Sequence, residues 1–292
     1  MNATVPGMSD LPGTGASGLT RRQLFERRQR RRSIAVAALS TTLVVLAIVV
    51  LVPKTPGWYR VKRSFFNGET FADTFPRLVD AFVLDLKIFA WCSPFIVVWG
   101  LLLALARGVR TPALFPLRLF AAAYTDVFRG VPVILTILLV GFGVPGLGLG
   151  RPWNSPYLWG SVALVLAYSA YVAEVFRAGI ESVHESQRAA ARSLGLSSGR
   201  TMRHVVLPQA VRRVVPPLMN DMVSLQKDVA LISLIGPIEV LRQAGIDKSK
   251  FANFTPYLGA ALLFVLLTIP ETRLVDHLQN RQRRRTGATA VR

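Results

Sequence analysis

The chain has one cysteine, three histidines and no Gly-Lys dipeptide anywhere in its 292 residues. A lone thiol cannot close an intramolecular disulfide, and Cys92 sits inside an apolar run, where it reads as a small packing side chain. His184, His204 and His277 lack the spacing and the acidic or thiol neighbours of a metal site, so no metal ligand is named. Without Gly-Lys, the Gly-x-x-x-x-Gly-Lys phosphate loop cannot be spelled, which removes P-loop ATP hydrolysis from what this chain does by itself. Acidic side chains are also scarce, with 16 Asp plus Glu against 35 Lys plus Arg. No catalytic residue and no resident cofactor can be assigned from such a set.

What is abundant is apolar. Hydrophobic residues make up 51% of the sequence and the mean hydropathy is +0.40, which is beyond the range of an ordinary soluble domain and points to an all-α membrane protein. The net charge of +19 raises nucleic acid as a partner, but the basic residues flank the apolar runs. That placement is the signature of cytoplasmic loops beside a lipid bilayer, and nucleic acid is set aside.

Residues 1–33 read as a disordered, basic cytoplasmic tail, rich in Gly, Ser and Pro and then in Arg. The apolar run 34–52 is long enough to cross about 30 Å of hydrocarbon, and no small-x-small cleavage site follows it, so it reads as an uncleaved additional transmembrane helix. Residues 53–80 mix aromatic and charged side chains and read as an extracytoplasmic linker on the outer interface. The run 81–106 returns inward, with Asp85 and Lys87 near its outer end expected to snorkel to the headgroups, a role in the substrate path being the alternative. A third span, 117–144, carries a helix break at Arg129, Gly130 and Pro132, because Pro132 lacks an N–H and disfavours helical geometry before it. Arg129 is expected to pair with Asp126 or to reach the inner interface. The fourth span, 157–176, ends at Glu174 and Arg177, which read as an intrahelical ion pair.

Residues 178–213 form a polar, basic elbow between apolar blocks. Ala189, Ala190 and Ala191 favour helix, Gly195 suits a left-handed helix end, and Ser197 can cap a second helix. Pro208 is expected to close the elbow by holding Leu207 extended. The next run, 214–236, is too polar to face lipid all round. Asn220, Ser224 and Lys227 recur on one helical stripe with Asp228 beside it, and this stripe is the candidate lining of a pathway. A sixth span, about 255–274, precedes a basic cytoplasmic tail at 278–292.

Six spans place both termini and the elbow on one side. That side holds seven Lys plus Arg before residue 33, three between 107 and 118, seven between 177 and 213 and six after 272, against five, one and three in the opposite loops. The excess assigns it to the cytoplasm.

The elbow resembles the cytoplasmic loop of ABC-importer permeases, whose pattern is Glu-Ala-Ala, three residues, Gly, nine residues, then Ile-x-Leu-Pro. Ala189 to Ala191, Gly195, Val205, Leu207 and Pro208 fall at those spacings. Arg129-Gly130-Val131-Pro132, Tyr171-Val172-Ala173-Glu174, Leu207-Pro208-Gln209-Ala210 and Lys227-Asp228 extend the resemblance to the polar amino-acid uptake branch, over roughly residues 80–280. It implies a five-helix type I importer core at 81–277, preceded here by one extra helix, in a bacterial cell membrane. It also implies a separate pair of ATP-binding subunits that hold ATP and Mg, a second permease subunit in a homo- or heterodimer, and an extracytoplasmic solute-binding protein. Ala189, Ser186 and Val229-Ala230 depart from the family pattern of Glu, Gly and Thr-Ser. Glu185, one helical turn before Ala189, is a substitute docking carboxylate; a weaker-docking half of a heterodimer and apolar contact at Ala189 are the alternatives. A secondary transporter or channel independent of an ATPase is the rival reading of the whole chain, and no repeat between the two halves supports it.

Overall fold

A computed structural model describes residues 21–109, 111–148 and 150–289, so the expected tail at 1–20 lies outside the described residues. The chain divides into two units, Met1–Arg63 and Ser64–Arg292. In the first unit, helix α1, Arg21–Leu51, carries the apolar run and already includes residues 21–33, which had read as disordered tail. The short helix α2, Trp58–Phe65, bridges the boundary of the units.

The second unit is built from helices alone among the described residues. Helix α3, Gly68–Gly108, is capped by the Asn67 side chain, which accepts from the Thr70 N–H at 3.0 Å. At 1.5 Å per residue its 41 residues extend about 60 Å, twice the hydrocarbon thickness. The boundary expected at residue 80 therefore falls inside α3, whose polar first turns continue without interruption into the apolar run.

Helices α4, Phe115–Gly130, and α5, Val133–Gly143, are the two arms of the broken third span. Val131 and Pro132 are both extended, with ψ of 130° and 137°, and the arms differ in direction by 107°. Helix α6, Pro156–Glu181, is the central element, packed against α3, α4, α5 and α9. The elbow contains α7, Glu185–Ser193, and α8, Ser198–Thr201. Helix α9, Leu207–Asp228, passes into a tight 3-10 turn at Val229–Ile235, then α10, Val240–Phe251, and α11, Thr255–Thr289. The helix of α11 thus runs on into the expected C-terminal tail as far as Thr289. Among the described residues four helices are long and apolar enough to cross a membrane, and two bent pairs bring the crossings to six if each pair is one span.

The largest apolar cluster joins Ile96 of α3, Ile137 of α5, Leu164 and Val172 of α6, Leu225 of α9 and Ile232 of the 3-10 turn. Cys92 lies in it, fully buried, as expected of a packing thiol. A second cluster joins Leu78 and Phe82 of α3 to Val240 of α10 and Leu263 of α11. Arg77 and Asp247 pair at 3.0 Å and tie α3 to α10. Asp85 does not snorkel: it is 1% exposed, and neither carboxylate oxygen has a hydrogen-bond partner among the described residues. Lys87, two residues on, faces the other way and is exposed.

Candidate functional site

Three elements converge at the end of α6 that leads into the elbow. Glu174 accepts from Arg107 of α3 at 3.2 Å, from its own helix neighbour Arg177, and faces Arg129 of α4 at 3.5 Å. Arg177 also pairs with Glu181. The expected Glu174–Arg177 pair is present, but it is one part of a larger network. Arg129 reaches Glu174 and not Asp126, because the sharp turn at Gly130–Pro132 ends α4 beside α6. One carboxylate holding three guanidinium groups fastens α3, α4 and α6 at a single point.

Beside this network a cavity of about 380 Å³ opens between α4, α6 and α9. Arg129 and Arg213 bring positive charge to its wall, Glu174 and Asp221 negative charge, and Tyr171 and Pro217 apolar surface. Asp221 Oδ2 is buried with no hydrogen-bond partner among the described residues. The close passage of α6 and α9 depends on Gly179, where a Cβ would lie 2.2 Å from Val214 Cγ2. The cavity can hold a small solute that bears both signs of charge.

The polar stripe of α9 is only partly of one kind. Asn220, Ser224 and Lys227 are exposed along one face, as their spacing predicts. Asp228 leaves that face and accepts from the Tyr168 hydroxyl at 2.7 Å, which makes it a tie between α9 and α6. Gln226 is fully buried and accepts from Thr268 of α11 at 3.3 Å. Asp221, which spacing alone does not single out, lies next to the stripe and lines the cavity.

The elbow follows directly from local chemistry. His184 caps α7, its Nδ1 accepting from the Ser186 N–H at 3.2 Å. Gly195 has φ of 81°; its N–H donates to the Arg192 carbonyl at 2.9 Å, and the Leu196 N–H donates to the Ala191 carbonyl at 3.2 Å. This double bond pattern is a Schellman ending, and it needs a residue free to adopt the left-handed region. Ser197 then caps α8, accepting from the Arg200 N–H at 3.5 Å. The stretch Gly195-Leu196-Ser197-Ser198-Gly199 spells the hydrolase pattern Gly-x-Ser-x-Gly, but Ser197 here joins two helices where a nucleophile elbow joins a strand to a helix.

Pro208 does not close the elbow. Leu207 is helical, with φ of −60° and ψ of −44°, because a π-helical turn at Met202–Val206 delivers the chain into α9 with the proline in its first turn. There its missing N–H costs no internal bond. On the surface, Glu185, Ala189, Ala190, Leu194, Leu207 and Pro208 are exposed, Leu194 by 83%, while Ala191 is buried. Glu185 pairs with Arg192 at 2.9 Å.

The pattern that defines the binding-protein-dependent transport system inner membrane components matches residues 71–284. The chain belongs to that family. It is 32% identical over 217 residues to the Bacillus subtilis (strain 168) protein named probable glutamine ABC transporter permease protein GlnM, a match covering 74% of this chain and 97% of the relative. It is 29% identical over 222 residues to the glutamate/aspartate import permease protein GltK of Escherichia coli O6:H1, covering 74% and 98%. A solved amino acid ABC transporter, crystallised with histidines, superposes with a TM-score of 0.68 at 31% identity over 74% of this chain and 98% of that one. This ABC-importer permease is therefore a multi-pass membrane protein with the type I importer fold. Permeases of the family carry no ATPase site and associate in general with an ATPase and a binding protein.

Proposed function

We propose that this permease forms the membrane pathway for a polar amino acid. Its solute passes the exposed face of α9, Asn220, Ser224 and Lys227, and the adjoining cavity between α4, α6 and α9. The observation that carries this reading is the pairing of an exposed polar helix face with an adjoining cavity of mixed charge. Arg129 or Arg213 suits the α-carboxylate of an amino acid, and the unpartnered Asp221 oxygen suits its ammonium. Glutamine, glutamate and aspartate, which appear in the names of the relatives, share that zwitterionic part.

The exposed elbow, from Glu185 through Ala189, Ala190 and Leu194 to Leu207 and Pro208, is the seat for the ATP-binding subunit pair, which holds ATP and Mg and hydrolyses the nucleotide. A second permease subunit, identical or different, faces α9, and a solute-binding protein docks outside. Both termini and the elbow lie in the cytoplasm of a bacterial cell. Residues 34–52 add one span before the importer core, and 53–67 connect the two.

Proteoliposomes holding the complex test the reading. Labelled glutamine, glutamate or aspartate should enter only with ATP on the elbow side, and Ser224→Trp should reduce uptake about tenfold while the complex still assembles. Uptake that persists without ATP or without the ATP-binding subunits would establish the rival, a secondary transporter.

A further inference from the structure

On the elbow side a larger cavity, about 620 Å³, lies between the ends of α3 and α6, the start of α4 and the elbow. Five arginines line it, Arg107, Arg118, Arg177, Arg188 and Arg192, against two carboxylates, Glu181 and Glu185. Three of the arginines are already paired, Arg107 and Arg177 with Glu174, Arg177 also with Glu181, and Arg192 with Glu185. Arg118 and Arg188 have no acidic partner among the described residues. Arg118 stacks over the Phe115 ring at 5.2 Å. Arg188 donates one N–H to the Ile180 carbonyl at 2.5 Å, and its Nε is buried with no acceptor. A buried guanidinium N–H without a protein acceptor is costly, and an anion in the adjoining cavity would offset that cost.

The apolar side of the same cavity continues outward. Leu105 and Val109 line it and also line a second groove, of about 340 Å³, between α3 and α4. Every residue of that groove is apolar, and Trp99, Leu102, Leu117 and Phe120 in it are exposed. A basic chamber that adjoins an apolar groove, with Leu105 and Val109 in the lining of both, has the form of an amphiphile's binding site. A water-soluble anion would leave the groove unused, and the groove lies along α3 and α4, both parts of candidate membrane spans, where an acyl chain fits better than a soluble protein.

We infer that this adjoining pair of cavities binds an anionic phospholipid of the inner leaflet. Its phosphate accepts from Arg118 and Arg188, and one acyl chain lies along Leu105, Leu117 and Phe120. Basic pockets between transmembrane helices on the cytoplasmic side are suited to such headgroups. The bound phosphate bridges α4 to the first helix of the elbow, so the lipid belongs to the machinery that holds the elbow in place. The leaflet assignment rests on the orientation proposed above, with the elbow inside.

The test uses the full chain with its ATP-binding subunits, purified and exchanged into phosphatidylcholine nanodiscs with a minor fraction of phosphatidylglycerol. Mass spectrometry of the retained lipid should find phosphatidylglycerol enriched over its bulk fraction. Each of Arg118→Gln and Arg188→Gln should lower that enrichment about fivefold, and Leu117→Trp, which fills the groove, should lower it with the charges intact. Arg118→Lys and the lipid exchange on the unaltered chain keep the test decisive if the Gln variants do not assemble. Equal retention of phosphatidylcholine, or full enrichment in both Gln variants, overturns the site. Displacement of phosphatidylglycerol by millimolar inorganic phosphate, without any effect of Leu117→Trp, overturns it in favour of a free-anion site. Enrichment found in a parallel preparation of the chain alone but absent from the complex gives the chamber to the protein partner. Labelling of Ser198→Cys, with Cys92→Ala, separates the two readings. Outward labelling removes the orientation together with the inner leaflet, whereas inward labelling with no lipid preference removes the lipid site alone.

Discussion

The elbow and the Glu174 network lie at the same end of α6, are both rich in arginine, and are held together by opposite means. In the elbow the decisive bonds join near neighbours: His184 to Ser186, Gly195 to Arg192, Leu196 to Ala191, Ser197 to Arg200. Around Glu174 they join residues from three helices, Arg107, Arg129 and Arg177, which meet only because the fold brings them there. The elbow therefore keeps its form while most of its side chains stay free for a partner. The network gives up its charges to one another and fixes the helices from which the elbow hangs. On the proposed seating of the ATP-binding subunits, rigid support beneath an exposed elbow carries a push on the elbow to the membrane helices.

Removing the shared carboxylate gives the largest effect in this contrast. Glu174→Gln leaves Arg107, Arg129 and Arg177 without their common counter-charge in a partly buried site, and the expected loss is about 2 kcal/mol. Thermal unfolding of the purified chain in detergent should show a lower midpoint than the unaltered protein, and Glu174→Asp should recover part of it. An unchanged midpoint in Glu174→Gln would show that the three helices are held by apolar packing alone.

A smaller effect on stability, with a sharper one on function, is expected at Gly195. Its φ of 81° is disfavoured for a residue with a Cβ by about 1 kcal/mol, and by more for a β-branched one. No neighbouring atom lies within 4 Å of the position a Cβ would take, so the cost is conformational and not steric crowding. Gly195→Val should reorient α8 against α7, leave the membrane helices folded and lower uptake per ATP hydrolysed. Gly195→Asn should retain most of the coupling, since Asn tolerates the left-handed region. Equal coupling in both variants would refute the left-handed ending as the feature that matters.

These two sites also differ in how far they could be read from the residues. Gly195 and Ser197 announce a helix end and a helix start because the bonds they make span a few residues and require those side chains. Glu174 offers no such clue beyond Arg177; Arg107 of α3 and Arg129 of α4 become its partners only once α3 and α4 are packed against α6. Proline itself gives a mixed signal. Pro132 breaks its span as its chemistry predicts, whereas Pro208 rides in the first turn of α9 behind a π-helical turn that no residue pattern foretold. The spacing of Asn220, Ser224 and Lys227 was enough to place them on one exposed face. The spacing could not tell that Asp228 would bond Tyr168, or that Asp85 would turn into the core and not toward the headgroups. Periodicity reports which residues share a face of one helix; only packing decides what that face meets.

The smallest expected effect is at Glu185, and it tests whether the open half of the contrast is open for a purpose. Its side chain is 72% exposed and paired with Arg192, whose side chain is 55% exposed. Such a surface pair contributes between 0 and about 1 kcal/mol, so the fold gives little reason for a carboxylate at this position. The family pattern places Glu one helical turn later, at Ala189, which is exposed on the same short helix. If Glu185 supplies that charge to the ATP-binding subunit, Glu185→Ala should leave the unfolding midpoint within measurement error and yet lower solute-stimulated ATP hydrolysis in the reconstituted complex. Adding Ala189→Glu to that variant should then restore the response, because the charge returns to the same face one turn away. A response unaffected by Glu185→Ala assigns the contact to the exposed Ala189, Ala190 and Leu194, and the elbow then docks through apolar surface with its Glu185–Arg192 pair as a bystander.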